Sequence, residues 1–410
     1  MKKLILLVFT AFFSLCALAQ KDNKVTIGTI DSIQSKILNE QRKIWVYVPN
    51  SWTADSKQRY PVVYLLDGDD HFNSVVSMIQ YLSQAGGNTI CPEMIVVGIP
   101  NTDRIRDLTP THVNAAPPYT DSLMLKTTGG GERFVSFIEK ELIPRIDSLY
   151  PTQPYKILTG HSFGGLTVMN VAINHTKLFN SYICIDPSMW WDQMNLLNTT
   201  KKALREKNFS GTTLYLGIAN TLREGMDITN VRSDTSKGTR HIRAILNLDQ
   251  YIKEEKQNGL RYESKYYSND DHGSVSLITE YDALRFIFDR YRFKLSPKDY
   301  TDSTVDVANK FVKHYQEVSK LLSYKISPPE DIVNNLGCDF LEQKQYAKAQ
   351  GLFKINVANY PESYNVQDSY GDYFLAMGDK SKAIEYFKKA LAIKENAVSR
   401  KKLNALLSEK

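Results

Sequence analysis

Cysteine is scarce in this chain, with four residues among 410, at positions 16, 91, 184 and 338. The last three are scattered, which does not fit the paired framework of a disulfide-stapled secreted protein. Cys184 lies within an apolar, strand-like run, where a thiol packs as a small hydrophobic side chain. The sequence therefore predicts a fold without a disulfide framework.

Long apolar runs are also few, and the clearest one is at the N-terminus. Lys2 and Lys3 precede an apolar run over residues 4–9, and Ala17-Leu18-Ala19 follows before Gln20. This pattern is typical of a secretory signal peptide, here residues 1–19, and the run is too short for a membrane span. We expect export, most simply to the periplasm. Secretion and a lipid anchor at Cys16 are the alternatives.

Neither sign of charge is in large excess. The 51 Lys and Arg against 45 Asp and Glu give a net charge of +6, which falls to about +4 without the two leader lysines. No basic stripe is visible, and neither H-x-x-x-H nor paired C-x-x-C occurs. We therefore expect no nucleic-acid partner, no metal site and no cofactor.

The most informative stretch that is present is Gly160-His161-Ser162-Phe163-Gly164, a G-x-S-x-G motif. A strand-like run over residues 155–159 precedes it, and a helix-like segment follows from residue 166. The alternative is a glycine-rich turn with an incidental serine. The context favours a nucleophile elbow, a sharp strand-to-helix turn that holds the serine where a base can reach its hydroxyl.

Runs rich in Val, Ile and Tyr alternate with amphipathic stretches between about residues 44 and 290. This alternation is typical of a mostly parallel sheet flanked by helices, and we predict one α/β domain over residues 20–294. Strands are predicted at 43–48, 62–66, 94–99, 155–159, 182–185, 213–218 and 262–267. Helices are predicted at 71–84, 131–149, 166–174 and 239–258.

The pattern changes after residue 294. Residues 295–329 predict a helical connector, and residues 330–410 contain a repeat with an offset of 34 positions. Leu336-Gly337, Ala349 and Phe353 recur as Tyr370-Gly371, Ala383 and Phe387. This is the period of tetratricopeptide repeats, so we predict a small all-α domain, with two unrelated helix pairs as the alternative. Two repeats are too few to stand alone, and we expect them to pack on the connector or on the first domain.

Four histidines follow Ser162, and only His272 lies just after a predicted last strand. Serine hydrolases built on such sheets order their triad as Ser, acid, His, with the histidine after the last strand. His175 ends the helix that leaves the elbow, His241 lies near a helix start, and His314 lies in the connector. We predict His272 as the general base.

The acid of the triad is harder to identify. It is expected after the strand at 213–218, where Glu224 and Asp227 are both within reach. Glu224 is favoured because it lies closer to the strand. Asp234, Asp186 and a Ser-His dyad without an acid stay open as alternatives.

Acyl transfer also needs donors for the oxyanion. The backbone N–H of Phe163, directly after the serine, is the first candidate. The second is expected in the glycine-containing turn after the strand at 62–66, at Gly68 or Asp69. An ordinary helix-capping turn is the alternative.

These motifs together resemble the Putative esterase family of the α/β hydrolases, which includes siderophore, feruloyl and acetyl xylan esterases. The resemblance rests on Y-P-V-V-Y-L-L-D-G at 60–68, G-H-S-F-G-G at 160–165, P-S-M-W-W at 187–191 and H-G-S at 272–274. It spans most of residues 25–290 and implies an α/β-hydrolase fold. It also implies ester hydrolysis through an acyl-enzyme, with Ser162 as nucleophile and His272 as base.

The resemblance further implies a substrate pocket bordered by Trp190, Trp191 and the loop at 101–110. An aromatic wall suits a catechol or feruloyl ring, Arg104 or Arg106 suits an acidic substrate, and His161 adjoins the nucleophile. A packed tryptophan pair and a salt-bridged loop are the alternative.

The favoured function is thus an exported serine esterase for an aromatic or catecholate ester, either a siderophore trilactone or a feruloyl-type conjugate. The alternatives are a carbohydrate acetyl esterase and, in another class, a non-catalytic scaffold. Beyond a small-molecule ester, the repeats could bind a protein partner or mediate self-association.

Overall fold

The computed structural model describes residues 25–53, 58–114 and 124–408, and the predicted leader lies outside them. In chain order, the strands are β1 (Thr29–Ser35), β2 (Glu40–Tyr47), β3 (Tyr60–Leu66), β4 (Ile95–Ile99), β5 (Thr152–His161), β6 (Ser181–Ile185), β7 (Thr213–Ala219) and β8 (Arg261–Tyr267). They form one eight-stranded sheet in the order β1-β2-β4-β3-β5-β6-β7-β8. β2 pairs antiparallel with β1 and with β4, and the other pairs are parallel.

The predicted strands are all present, but β1 was not predicted. It pairs with β2 at the edge of the sheet, and only the last of its residues is buried. Its sequence, T-I-D-S-I-Q-S, consequently lacks the apolar run that marks the inner strands. The mostly parallel sheet confirms the predicted α/β class.

Helices cover both faces of this sheet. They are α1 (Gly68–Ser83), α2 (Arg104–Leu108), α3 (Gly131–Phe137), α4 (Ile143–Leu149), α5 (Phe163–Asn174), α6 (Trp191–Glu206), α7 (Arg240–Glu254) and α8 (Val275–Ile287). A π-helical turn joins α3 to α4, so the predicted helix at 131–149 is continuous. α2, α6 and α8 were not predicted. In α8 the buried face includes Ser276, Thr279 and Glu280, and these polar residues hide its helical periodicity.

The core is divided by the sheet into two apolar layers. Along β3, Val62, Tyr64 and Leu66 point into one layer, while Val63 and Leu65 point into the other. This alternation is the two-residue period of a strand. Every residue of β3 is buried, so both faces of the sheet are covered at this strand. The loops that follow the inner strands are therefore held by a packed core.

The C-terminal region consists of helices throughout its described length. They are α9 (Pro297–Thr301), α10 (Val307–Leu322), α11 (Glu330–Glu342), α12 (Tyr346–Asn359), α13 (Tyr364–Ala376), α14 (Lys380–Ile393) and α15 (Ala397–Ser408). A Cβ on Gly337 would lie 2.8 Å from the Phe353 ring, and one on Gly371 would lie 2.6 Å from the Phe387 ring. The repeated glycine therefore makes the same close helix crossing twice, in two successive helix pairs.

α10 connects this region to the sheet. Its Phe311 and Tyr315 belong to the apolar cluster of the C-terminal helices. Its Val318 and Leu322 pack instead against the layer of the sheet that contains α1 and α8. Among the residues described, no helix combines the length and the apolar character needed to cross a membrane.

One buried side chain on α8 is a carboxyl group. Glu280 is 2% exposed, and neither of its oxygens has a hydrogen-bond partner among the described residues. The nearest basic atom is His71 Nδ1, 3.9 Å from Oε1. Burial raises the pKa of Glu280 to about 8, so this group is a neutral acid at pH 7.

Glu280 makes a testable contribution to stability. The unfolded chain loses this proton near its ordinary pKa of 4.5 and the folded chain near 8, so stability falls as pH rises between these values. Glu280→Gln should therefore raise the free energy of unfolding at pH 8 by about 2–5 kcal/mol and change it little at pH 4.5. Denaturant unfolding at both pH values measures the difference.

Glu263→Gln, at an exposed position on β8, is the matched control and should have no such pH dependence. An equal effect of Glu280→Gln at both pH values would contradict the assignment of Glu280 as a buried neutral acid.

Candidate active site

The turn between β5 and α5 has the backbone geometry of a nucleophile elbow. Ser162 has φ 60° and ψ −112°, a conformation that residues other than glycine rarely adopt. Its N–H donates to Ile185 O at 3.0 Å. A Cβ on Gly160 would lie 2.7 Å from the carbonyl carbon of Gly164, so the turn closes only with glycine at position 160. The strain is concentrated at the serine, as expected for a functional turn.

The structure brings the predicted base to the predicted nucleophile. His272 lies in the loop between β8 and α8, and its Nε2 is 3.1 Å from Ser162 Oγ. Its Nδ1 donates to Asp186 Oδ2 at 2.6 Å. Because Nδ1 holds the proton shared with Asp186, Nε2 is left to accept the serine proton.

Asp186 is completely buried on the turn after β6, with φ 39°. Its Oδ1 accepts the Ala219 N–H at 3.0 Å, and His241 Nε2 donates to Oδ2 at 2.8 Å. Burial would raise the pKa of Asp186, but the hydrogen bonds from His241 and His272 outweigh it and hold the pKa well below its usual range. The carboxylate is thus ionised and oriented by several donors.

This arrangement corrects the predicted acid. Glu224 is exposed in the loop after β7. Asp227, in the same loop, is also exposed, and it accepts the N–H groups of Thr229 and Asn230. The prediction was wrong because it assumed that the acid follows β7, the strand at 213–219, whereas Asp186 follows β6. β6 lies directly beside β5 in the sheet, so the turn at its end is the one that meets His272.

The turn after β3 is held next to the elbow. Arg104 donates from Nε to Asp67 Oδ1 at 2.6 Å, from Nη2 to Asp67 Oδ2 at 3.0 Å and from Nη2 to His161 O at 3.2 Å.

A Cβ on Gly68 would lie 2.6 Å from Ile99 N, so α1 begins in close contact with β4. Gly68 and Phe163 are the first residues of α1 and α5, where backbone N–H groups have no partner within the helix. Asp69, one residue later, is exposed.

The residues predicted to bind substrate have structural roles. Trp190 and Trp191 are 8% and 1% exposed and pack around Phe163. Arg106 forms ion pairs with Glu40 and Asp107. The alternative of a packed tryptophan pair and a salt-bridged loop describes the contacts of these segments. The aromatic wall stays a prediction. Arg104 is paired with Asp67 and with the His161 carbonyl rather than standing free.

His161 is part of the site but faces inward. Its ring centroid is 4.4 Å from that of His272, and its Nε2 is buried without a hydrogen-bond partner among the described residues. Burial, with a smaller effect of His272, lowers the pKa of His161 to about 4. The ring is therefore neutral at pH 7, and it packs against the His272 ring at an interplanar angle of 43°.

Two neighbours of the triad were not singled out from the sequence. Ser188 Oγ lies 3.2 Å from Ser162 Oγ, and Ser188 is 2% exposed. It is the serine of P-S-M-W-W, a motif that was noted for its tryptophans. His241 was noted only as a poor candidate for the base, because sequence order does not reveal that α7 begins beside Asp186.

Asp186, His241 and His272 also form the one group in the described part of the chain whose ligand atoms are close enough to hold a metal ion. Their facing atoms, however, are joined by two hydrogen bonds to a single oxygen. A cation would have to replace both protons, so we interpret the cluster as hydrogen-bonded.

Comparison with known proteins identifies the family of the chain. A family model described as Putative esterase matches residues 35–238. The ferri-bacillibactin esterase BesA of Bacillus subtilis is 27% identical over 275 residues, which are 64% of this chain and 91% of that protein. A siderophore enterobactin esterase of Emericella nidulans is 26% identical over 250 residues, 55% of this chain and 82% of that protein.

A solved structure is similar over a longer stretch. The crystal structure of an IroE-like serine hydrolase from Shewanella oneidensis is 31% identical to this chain, with a TM-score of 0.67. The match covers 80% of this chain and 98% of that one. The chain belongs to the Putative esterase family, and it is a carboxylic ester hydrolase with an α/β-hydrolase fold.

Proposed function

We propose that the chain hydrolyses its ester through an acyl-enzyme on Ser162. The hydrogen-bonded series Ser162, His272 and Asp186 carries this proposal. As Ser162 Oγ attacks the carbonyl carbon, His272 Nε2 takes its proton, and buried Asp186 stabilises the imidazolium that forms. The same proton then passes to the alcohol oxygen as the ester C–O bond breaks.

Deacylation repeats these steps with water. His272 takes a proton from water as its oxygen attacks the acyl carbon, and it returns the proton to Ser162 Oγ when the acid leaves. The N–H groups of Phe163 and Gly68 are the proposed donors to the oxyanion in both halves of the reaction. Arg104 supports them, because it ties the turn at Asp67 to the backbone of the elbow.

We propose a siderophore ester as the substrate. The curated relatives described above act on ferri-bacillibactin and on enterobactin by their names, and they match this chain over most of their own length. A catecholate trilactone is therefore the first substrate to test.

The substrate proposal predicts a specific order of rates. The wild-type protein should hydrolyse enterobactin-type trilactones, iron-loaded or iron-free, at least tenfold faster in kcat/KM than feruloyl or acetyl sugar esters. Ser162→Ala should abolish turnover and fluorophosphonate labelling, because no other group replaces the nucleophile. Product chromatography and intact mass measure both. Faster turnover of feruloyl or sugar esters would contradict the proposed substrate, and Ser162→Ala activity would contradict the mechanism.

The choice of acid is tested by three matched variants. Asp186→Asn should lower kcat by about 10³–10⁴-fold, because a neutral amide neither fixes the His272 tautomer nor stabilises the imidazolium. Glu224→Gln and Asp227→Asn, both exposed in the loop after β7, should stay within about twofold of wild type. A silent Asp186→Asn would instead support a Ser-His dyad.

We also infer that the chain is exported, on the pattern of its N-terminal 19 residues. Expression of the full chain in a Gram-negative host should yield a periplasmic protein whose N-terminus is Gln20. Intact mass and fractionation measure this. A full-length cytoplasmic product would contradict export, and a lipidated product would place the anchor at Cys16.

A further inference from the structure

His241 is the remaining side chain that touches the proposed acid. It is the second residue of α7, and its imidazole is 16% exposed. Its Nε2 lies 2.8 Å from Asp186 Oδ2, and its ring stands almost perpendicular to that of His272, at 5.0 Å between centroids. In the described part of the chain, the hydrogen bonds of Ser162 Oγ go to His272 and Ser188, so we expect His241 to act on the reaction through Asp186 or His272.

One oxygen of Asp186 is thus shared by two imidazoles. Oδ2 accepts from both His241 Nε2 and His272 Nδ1, while Oδ1 accepts the Ala219 N–H. For both contacts to be hydrogen bonds, each imidazole must present an N–H to this oxygen. A buried carboxylate with three donors has little freedom to rotate, because any rotation would leave a buried polar group unpaired.

We propose that His241 is a positioning residue, which orients the Asp186 carboxylate toward His272 and shares its negative charge. This inference rests on the function proposed above. The N–H of His241 fixes Oδ2 in the plane where His272 Nδ1 reaches it. It also takes up part of the negative charge of Oδ2, which would otherwise act on His272 alone.

Removal of the His241 N–H should therefore have two effects. Asp186 becomes less well oriented, which lowers kcat. Asp186 Oδ2 also serves His272 alone, which favours protonated His272 and moves the acid limb of the kcat/KM profile to higher pH. If residue 241 only filled space, its replacement would not shift the acid limb of the kcat/KM pH profile.

Other titratable groups lie around the two imidazoles, and both variants described below leave them in place. His161 packs against the His272 ring. The charged or titratable groups farther out include His71, Asp67, Asp271, Glu280, Cys184 on β6 and, on α7, Arg240 and Arg243. The comparison of the two variants therefore isolates the N–H of residue 241.

The test uses His241→Gln and His241→Leu in the full-length protein. Glutamine can place an amide N–H near the position of the imidazole Nε2, whereas leucine keeps bulk without a donor. With an activated ester such as p-nitrophenyl acetate, His241→Leu should lower kcat by about 10- to 100-fold and raise the acid limb by about half a pH unit or more. His241→Gln should recover most of kcat. His175→Leu, which removes a histidine–glutamate contact elsewhere, is the matched control and should match wild type.

A second readout does not require turnover. The proton that His272 Nδ1 shares with Asp186 should give a low-field proton NMR signal in the wild type. We expect this signal to move or broaden in His241→Leu and to return in His241→Gln. Thermal unfolding of each variant shows whether the fold is retained.

The outcomes separate the two proposals. If wild type turns over ester but His241→Leu matches it in kcat, acid limb and NMR signal, the positioning role is wrong and the esterase proposal stands. Equal loss in both variants, without a shifted limb, would assign His241 to packing and overturn the inference. If wild type is neither active nor labelled at Ser162, the proposed function fails, and the NMR comparison alone decides the role of His241.

Discussion

The arrangement of the site depends on the buried carboxylate of Asp186. It stands where the turn after β6 takes a positive φ, and it collects donors from three other segments: the end of β7, the start of α7 and the loop before α8. A buried charge is tolerated only when it is paired or hydrogen-bonded, so this single group fixes four segments relative to one another. The same donors keep it ionised, which is what a base at His272 requires. The hydrogen bonds that compensate for the burial of Asp186 are therefore the same ones that keep it ionised for the proposed reaction.

The sequence predicted those parts of the molecule whose signals are local. The inner strands are continuous apolar runs, and Ser162 and His272 stand in motifs with a defined place after a strand. β1 was missed because an edge strand buries too little to carry an apolar pattern. Asp186 was left as an alternative, because the choice among acids depends on which strand lies beside β5 and on a backbone turn at residue 186. Neither the strand order nor the backbone turn can be predicted from the few residues around a carboxylate.

Charged and aromatic residues near the site were the least predictable. Arg104 carries the charge that would suit an acidic ligand, but its guanidinium is paired with Asp67 and with the backbone of His161. Trp191 likewise belongs to the core rather than to a pocket wall, and its indole N–H donates to Thr111 O at 3.3 Å. The chemistry of a side chain shows which ligands it could bind. Whether the side chain is already paired with another part of the protein depends on its neighbours in the fold. Both residues thereby connect segments around Ser162 to one another.

The C-terminal helices border the sheet at the end opposite to Ser162. A groove between them and the sheet is lined by Tyr60 at the start of β3, by Gln153 near the start of β5 and by Tyr324 and Tyr360. Ser162 follows the opposite end of β5, and nine residues of extended strand span about 30 Å. The part of the C-terminal region that borders this groove therefore lies at the end of the sheet opposite to Ser162. The packing of Val318 and Leu322 extends the layer that contains α1 and α8, so this layer joins the C-terminal helices to the part of the fold that holds the turn at Gly68 and the loop before α8.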